Sequence, residues 1–227
     1  FLQKVRKIVD QNNSMLVLDE IVTGFRFNIG GAQKFFNIKG DITCFGKGMS
    51  NGLPLSAVTG PTEFMKVFDD LWVSSTNNSD ALSIAGSKAV ITEMIEKNTI
   101  EHCWNIGKKM FYGWNKIAEE NGINAKMTGY PIRMDLKCYD DRDIESISMK
   151  SLILQEMVKR GIFMSILGAS YISYSHSMQD IENTLKVFDD TCKFISKNVI
   201  DNNYEKLLEG HTPKTIWTMK MQPTKKR

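Results

Sequence analysis

Lys47 sits in Phe45-Gly46-Lys47-Gly48-Met49-Ser50-Asn51-Gly52-Leu53-Pro54, a turn lined with glycine. An amine held in such a turn can reach a reactive carbonyl and form a Schiff base, provided desolvation or neighbouring cations favour its neutral form. Earlier in the chain, the apolar run Met15-Leu16-Val17-Leu18 ends in Asp19-Glu20-Ile21. An acid at the end of a buried apolar run can hold a heterocyclic cation. Pyridoxal phosphate (PLP) needs both groups: an amine for its aldehyde, and a carboxylate that keeps its ring nitrogen protonated and the ring an electron sink. The pair therefore points to a PLP site.

Taken singly, neither residue says this much. Asp19 alone reads as a solvated carboxylate at a strand end, and Lys47 alone as a surface lysine. An apolar run followed by Asp-Glu also describes the magnesium-holding strand of a nucleotide hydrolase. That reading requires G-x-x-x-x-G-K-[ST]. Here Asp41 stands five residues before Gly46 where the motif has glycine, and Gly48 follows Lys47 where it has a hydroxyl. The order of the two elements is also reversed, so the hydrolase reading fails.

The 227 residues suffice for one large or two small domains, and 42% hydrophobic with 24% charged residues is ordinary globular usage. A net charge of +3 is too small to argue for nucleic acid or a membrane surface. The basic end, Lys225-Lys226-Arg227, reads as a solvated tail. Cys44, Cys103, Cys138 and Cys192 are widely spaced and form no C-x-x-C pair. This fits reduced thiols in a cytoplasmic protein better than a disulfide framework. With His102, His176 and His211 they offer no metal-ligand spacing. No apolar run approaches the roughly 20 residues of a membrane span.

The elements that must position the two residues follow from pattern. Leu2 to Asn12 reads as a helix, and Met15 to Leu18 as a buried parallel strand that leaves Asp19 at its carboxyl end, where open α/β sheets place ligands. Ala32 to Phe36 is a short amphipathic stretch after Gly30-Gly31. Ile42 to Phe45 is a second strand with Lys47 just beyond it, and Leu55 to Thr59 a third. Thr62 to Asp69 reads as a helix begun by Pro61, and residues 74–79 as a loop. Asp80 caps a helix to about Lys97, with Leu82, Ala85, Ala89 and Ile91 as its apolar positions. Ile100 to Glu120 is a further helix, stopped at Asn121-Gly122. Beyond it, strand-like pieces at Ile132 to Leu136, Ile162 to Met164 and Tyr171 to Tyr174 alternate with helices at Ser148 to Lys159 and Gln179 to Lys197. Ser177 and Asp180 resemble a capping box for the last helix. The expected class is α/β: a parallel-rich unit over residues 1–96, then a smaller α+β unit over residues 97–227.

The series Leu16-Val17-Leu18-Asp19-Glu20-Ile21-Val22-Thr23-Gly24-Phe25-Arg26, then Gly30-Gly31-Ala32-Gln33, Asp41-Ile42, Gly46-Lys47 and Gly52-Leu53-Pro54-Leu55-Ser56-Ala57-Val58-Thr59-Gly60, resembles the class III aminotransferases. The likeness is greatest to the branch with glutamate-1-semialdehyde aminomutase and its transaminase relatives, and it runs from Leu16 to near Lys197. It implies a fold-type-I PLP-dependent transferase, in which residues 1–96 are the later part of the large PLP-binding domain and residues 97–227 the small C-terminal domain. It makes Lys47 the Schiff-base and proton-shuttling lysine and Asp19 the partner of the pyridine nitrogen. Ile21 would pack on the cofactor ring, and Thr76 would reach the cofactor phosphate of a neighbouring subunit. Arg26 and Gln33 match family positions with structural roles. The partners implied are a small-molecule amine donor, a carbonyl acceptor and a second copy of the chain.

Two departures shape the expectation. The aminomutase carries a glutamate in the stretch matching Ile166-Leu167-Gly168-Ala169-Ser170, where this sequence has no acid. That favours intermolecular transamination over the aminomutase alternative. The family's phosphate cup and ring-stacking aromatic lie upstream of the aspartate, and none of that material is in the eighteen residues before Asp19. The chain is thus expected to be the C-terminal half or so of a longer enzyme. A non-catalytic interaction protein of the same fold is the rival from another class. A cofactor-free Schiff-base enzyme would need Lys47 but has no use for Asp19.

Overall fold

The computed structural model describes residues 1–166 and 168–213. Leu167 and the basic end, Lys225-Lys226-Arg227, lie outside the described residues. The chain divides into two compact units, the first Phe1–Asn105 and the second beginning at Ile106.

In the first unit, α1 (Leu2–Gln11) leads into β1 (Val17–Asp19), α2 (Gly31–Phe35) and β2 (Ile42–Phe45). A 3-10 turn at Lys47–Met49 precedes β3 (Ala57–Thr59). The sheet has the order β1-β2-β3, with β1 parallel to β2 and β3 antiparallel to it. The parallel pairing sets Asp19 opposite Cys44, and the antiparallel pairing sets Phe45 opposite Ala57. The sheet is therefore mixed, where the sequence predicted a parallel-rich one. Nor is β1 buried, since Val17 is 55% exposed and Met15 46%. The strand is an edge, and its outer flank is uncovered among the described residues.

Asp41 ties the starts of the strands together. Its Oδ2 accepts from Leu16 N at 2.7 Å and from Arg6 Nη1 of α1 at 2.8 Å, while its own amide donates to Leu16 O at 2.8 Å. The Leu16 amide and the Arg6 guanidinium hold its carboxyl below the usual carboxylate range. After β3 come α3 (Thr62–Met65), a second 3-10 turn (Lys66–Asp69) and α4 (Ala81–Glu96). Asp80 caps α4, accepting from Ser83 N at 2.8 Å and Ser83 Oγ at 2.5 Å. The buried positions of α4 are not those predicted. Ser83 and Ser87 are buried, Leu82 is 68% exposed, and Ala85 and Ala89 are exposed too. Small residues occupy the contact face because the loop after β2 presses close there. A Cβ at Gly86 would stand 2.3 Å from Leu53 Cδ1.

α5 (Thr99–Glu120) carries the chain into the second unit. It ends as predicted at Asn121-Gly122: Gly122 takes φ +67°, and the Ile123 amide reaches back to Ala118 O at 2.8 Å. The unit's sheet is antiparallel, in the order β4 (Ala125–Tyr130), β5 (Arg133–Cys138), β6 (Ser170–Tyr171). The sequence reading missed β4, whereas residues 162–164, predicted as strand, belong to none. Ala125 and Met127 are buried and Lys126 between them is exposed, a strand alternation too short before Thr128-Gly129 to stand out, and pairing with β5 completes the strand. α6 (Ile147–Lys159) is capped by Ser146 Oγ, and α7 (Met178–Asn198) by the Ser177–Asp180 capping box. The core gathers Trp114, Phe188, Met127, Met134, Leu152 and Met157, each 2% exposed or less. The Trp114 and Phe188 rings stack with centroids 3.4 Å apart.

The four cysteines are free thiols, and burial pushes Cys138 and Cys192 up to about 12. Among the described residues no group of three or more His, Cys, Asp or Glu can hold a metal, and no helix is long and apolar enough to cross a membrane.

Candidate functional site

The carboxyl ends of β1 and β2 lie side by side because the strands are parallel and in register at Asp19 and Cys44. Asp19 is the last residue of β1, and Lys47 follows Cys44 by one short turn. Asp19 is exposed and accepts from Ile21 N through Oδ1 at 2.9 Å, which folds the chain back just past the strand. Ile21 is half-buried. Its Cγ2 lies 3.6 Å from where a Cβ on Gly46 would be, and Gly24 O lies 3.7 Å from the corresponding point on Gly48. The segments 19–24 and 46–48 therefore abut. Asp19, Ile21 and Lys47 share one end of the sheet.

Lys47 takes φ +43°, a left-handed conformation that costs a non-glycine residue on the order of 1 kcal/mol. Surrounding contacts hold it there. Its carbonyl accepts from Asn51 N at 3.0 Å, and Met49 N donates to Gly46 O at 3.1 Å. Ser87 of α4 donates from its buried hydroxyl to Met49 O at 2.9 Å. Ser50 Oγ donates to Leu53 O at 2.5 Å and closes the turn. The side chain of Lys47 is exposed, and among the described residues its ammonium forms no hydrogen bond or ion pair. The turn thus presents an amine that, among the described residues, no protein group engages, beside Asp19 and Ile21.

Thr76 stands apart from this group. It begins a four-residue turn over 76–79, is exposed, and has no hydrogen bond to residues 19–24 or 46–48 among the described residues. Arg26 lies near Cys103, whose thiol burial raises and the Arg26 charge lowers, with burial prevailing. Gln33 contributes through its backbone amide.

Sequence reasoning passed over Glu20. Next to Asp19 but on the opposite face, it is only 2% exposed. Its carboxylate accepts from Ala32 N at 2.9 Å, from Gln33 N at 2.6 Å and from the Thr23 hydroxyl. Its backbone amide donates to Cys44 O at 2.9 Å, and its carbonyl accepts from Gly24 N at 2.7 Å. The signal that could have revealed it is Gly31. That glycine has φ +79°, and a Cβ on it would stand 2.7 Å from the Glu20 carboxyl carbon. Ser87 was missed as well, because nothing in α4 itself marks one serine as the contact of a turn 38 residues away.

Comparison with known proteins places this geometry in context. Residues 1–187 match the family model described as Aminotransferase class-III. The 3-aminobutyryl-CoA aminotransferase of Cloacimonas acidaminovorans (strain Evry) is 30% identical over 201 residues, 87% of this chain and 48% of that protein. A glutamate-1-semialdehyde 2,1-aminomutase of Alkaliphilus oremlandii (strain OhILAs) is 30% identical over 208 residues, again 87% and 48%. Among solved structures, the PLP internal aldimine form of the FumI protein of Sphingopyxis sp. MTA144 superposes with a TM-score of 0.79 at 22% identity, over 86% of this chain and 46% of that one. A β-phenylalanine aminotransferase from Variovorax paradoxus gives 0.77 at 20% identity, over 87% and 48%. These two likenesses speak to the fold alone. The chain spans about half the length of the curated relatives it matches.

Proposed function

We propose that this chain, which belongs to the class-III aminotransferase family, carries the lysine and aspartate of a PLP-dependent transaminase that moves an amino group from a small amine to a carbonyl compound. The observation that carries the reading is the placement of Asp19 and Lys47 at the carboxyl ends of adjacent parallel strands, with Ile21 against Gly46 between them. The donor set fits the cofactor: an uncommitted amine for its carbonyl carbon, a carboxylate for its ring nitrogen, and a branched apolar side chain for its ring face. When bound, PLP supplies an electrophilic carbonyl and a protonated ring that withdraws electrons from the substrate's α-carbon.

Lys47 Nζ would hold the cofactor through its carbonyl carbon. As a free amine, Nζ would accept the proton that leaves the substrate α-carbon and, as a general acid, deliver it to the carbon that receives the hydrogen in transamination. The Asp19 carboxylate would pair with the ring nitrogen and accept a hydrogen bond from its proton. Ile21 keeps water from one face of the site. Thr76, exposed ahead of α4, would serve the site of a neighbouring subunit in a homodimer. The match to named aminomutases supports intramolecular amino transfer as the second reading, and the lack of an acid over residues 166–170 argues against it.

The test is visible absorbance of the whole protein on addition of PLP, before and after borohydride reduction, beside Lys47→Ala. A yellow band that reduction fixes onto Lys47, absent from the variant, is the expected result. A band of equal strength in Lys47→Ala, or none in the parent, would sink the proposal.

A further inference from the structure

Glu20 is held through both its side chain and its backbone, and its neighbours in the chain are Asp19 and Ile21. Its carboxylate is buried, and its three donors come from Thr23 and from the amides that open α2. Its backbone is fixed as well, on one side by Cys44 O and on the other by the Gly24 amide. A carboxylate only 2% exposed costs several kcal/mol unless its oxygens are satisfied, and here they accept from three donors. Two glycines make the arrangement possible. A Cβ on Gly31 would meet the carboxylate, and one on Gly24 would lie 2.6 Å from both Glu20 O and Phe45 Cδ1. Such exclusion of side chains packs the β1–α2 segment against β2.

We propose that Glu20 is a positioning residue, which sets the Asp19 carboxylate and the Ile21 side chain for the cofactor by immobilising the backbone between them. Because strand residues alternate faces, a carboxylate anchored behind the strand leaves Asp19 aimed the other way. Rotation of residue 20 would swing both neighbours together, since the Ile21 amide also bonds to Asp19 Oδ1. The Glu20 clamp removes that freedom without touching the cofactor. This inference rests on the PLP reading above.

Glu20→Gln keeps the size but replaces one acceptor oxygen by a donor facing amide hydrogens. Measured on the whole protein, well below the melting midpoint of every variant, it should weaken PLP binding by about tenfold, the scale at which supporting contacts act on the groups they orient. The pH midpoint of the Lys47-dependent visible band should move with it, because the Asp19 carboxylate no longer meets the ring nitrogen squarely. Thr23→Val, which removes one donor and keeps the fold, should give a change of the same direction and about twofold to threefold size. A lower melting midpoint with unchanged PLP affinity and unchanged pH midpoint in both variants would make Glu20 merely structural and overturn the proposal. Absence of any Lys47-dependent band in the parent would overturn the PLP reading as well.

Discussion

The two units solve opposite problems. In the second, the strand residues of β5 alternate between half-buried and buried along their whole length, and α5 closes over β4 with side chains that satisfy its backbone. Asn115 there accepts from Met127 N at 2.8 Å and donates to Met127 O at 3.1 Å, and Trp114 Nε1 donates to Ala125 O at 3.2 Å. In the first unit β1 is exposed on two of its three residues, and the unit's buried large hydrophobics are Phe27, Ile38 and Met49, at 5%, 8% and 8% exposed. Order near Lys47 comes instead from polar clamps: Asp41 at the strand starts, Glu20 behind Asp19, and Ser87 under the lysine turn. The contrast teaches that polar bonds, rather than a deep apolar core, hold the backbone at the sheet end where the proposed site lies. A sheet end held this way depends on single hydrogen bonds.

The largest effect that can break this comparison is Lys47→Ala. It should abolish reductive trapping of PLP while leaving the melting midpoint almost unmoved, because the side chain is exposed and makes no contact that holds the fold. A large drop in stability would place Lys47 in the scaffold instead. Next comes Trp114→Ala in the second unit, expected to cost about 3–5 kcal/mol in a denaturant melt through the lost stack on Phe188 and the cavity left behind. A cost below about 1 kcal/mol would mean that this unit is not held by its core.

Ser87→Ala sharpens the same contrast from the other side. It leaves the buried Met49 carbonyl without its hydroxyl donor, an effect of about 1–2 kcal/mol confined to the lysine turn. Hydrogen exchange of the amides over 47–51 should quicken while those of β5 stay protected, and uniform quickening would contradict it. The smallest effect concerns acid. Asp41 has its carboxyl lowered by the Leu16 amide and by Arg6, so its contribution is present above its unfolded value of 3.8 and is lost as pH falls through the lower folded value. The first unit should therefore loosen from about pH 4 downward, and Asp41→Asn should flatten that part of the profile. If the variant keeps the same slope, other carboxylates govern the acid limb.

The candidate residues and several element ends were legible in the sequence, because they depend on local chemistry. Asp19 after an apolar run, Lys47 between glycines, the Asp80 cap, the Ser177–Asp180 capping box and the Gly122 stop are each written in a few consecutive residues. The contents of the contact faces were not. Leu82 and Ala85 were expected to be buried on α4, but Ser83 and Ser87 are, because the loop carrying Leu53 approaches too closely for larger side chains. β4 was missed because its alternation, Ala125 and Met127 in with Lys126 out, is short and runs into Gly129, and pairing with β5 supplies the rest.

By itself, then, the sequence determined the residue types at the candidate site, their order along the chain and the class of cofactor they suit, since these follow from side-chain chemistry and short-range rules. Only the tertiary structure decided that Asp19 and Lys47 share one end of a sheet, that Glu20 is buried where Asp19 is exposed, and that Ser87 supports the lysine turn. Those facts depend on strand register and on contacts between residues far apart in the chain. No local pattern encodes them, because register and close approach are settled by everything that packs at once.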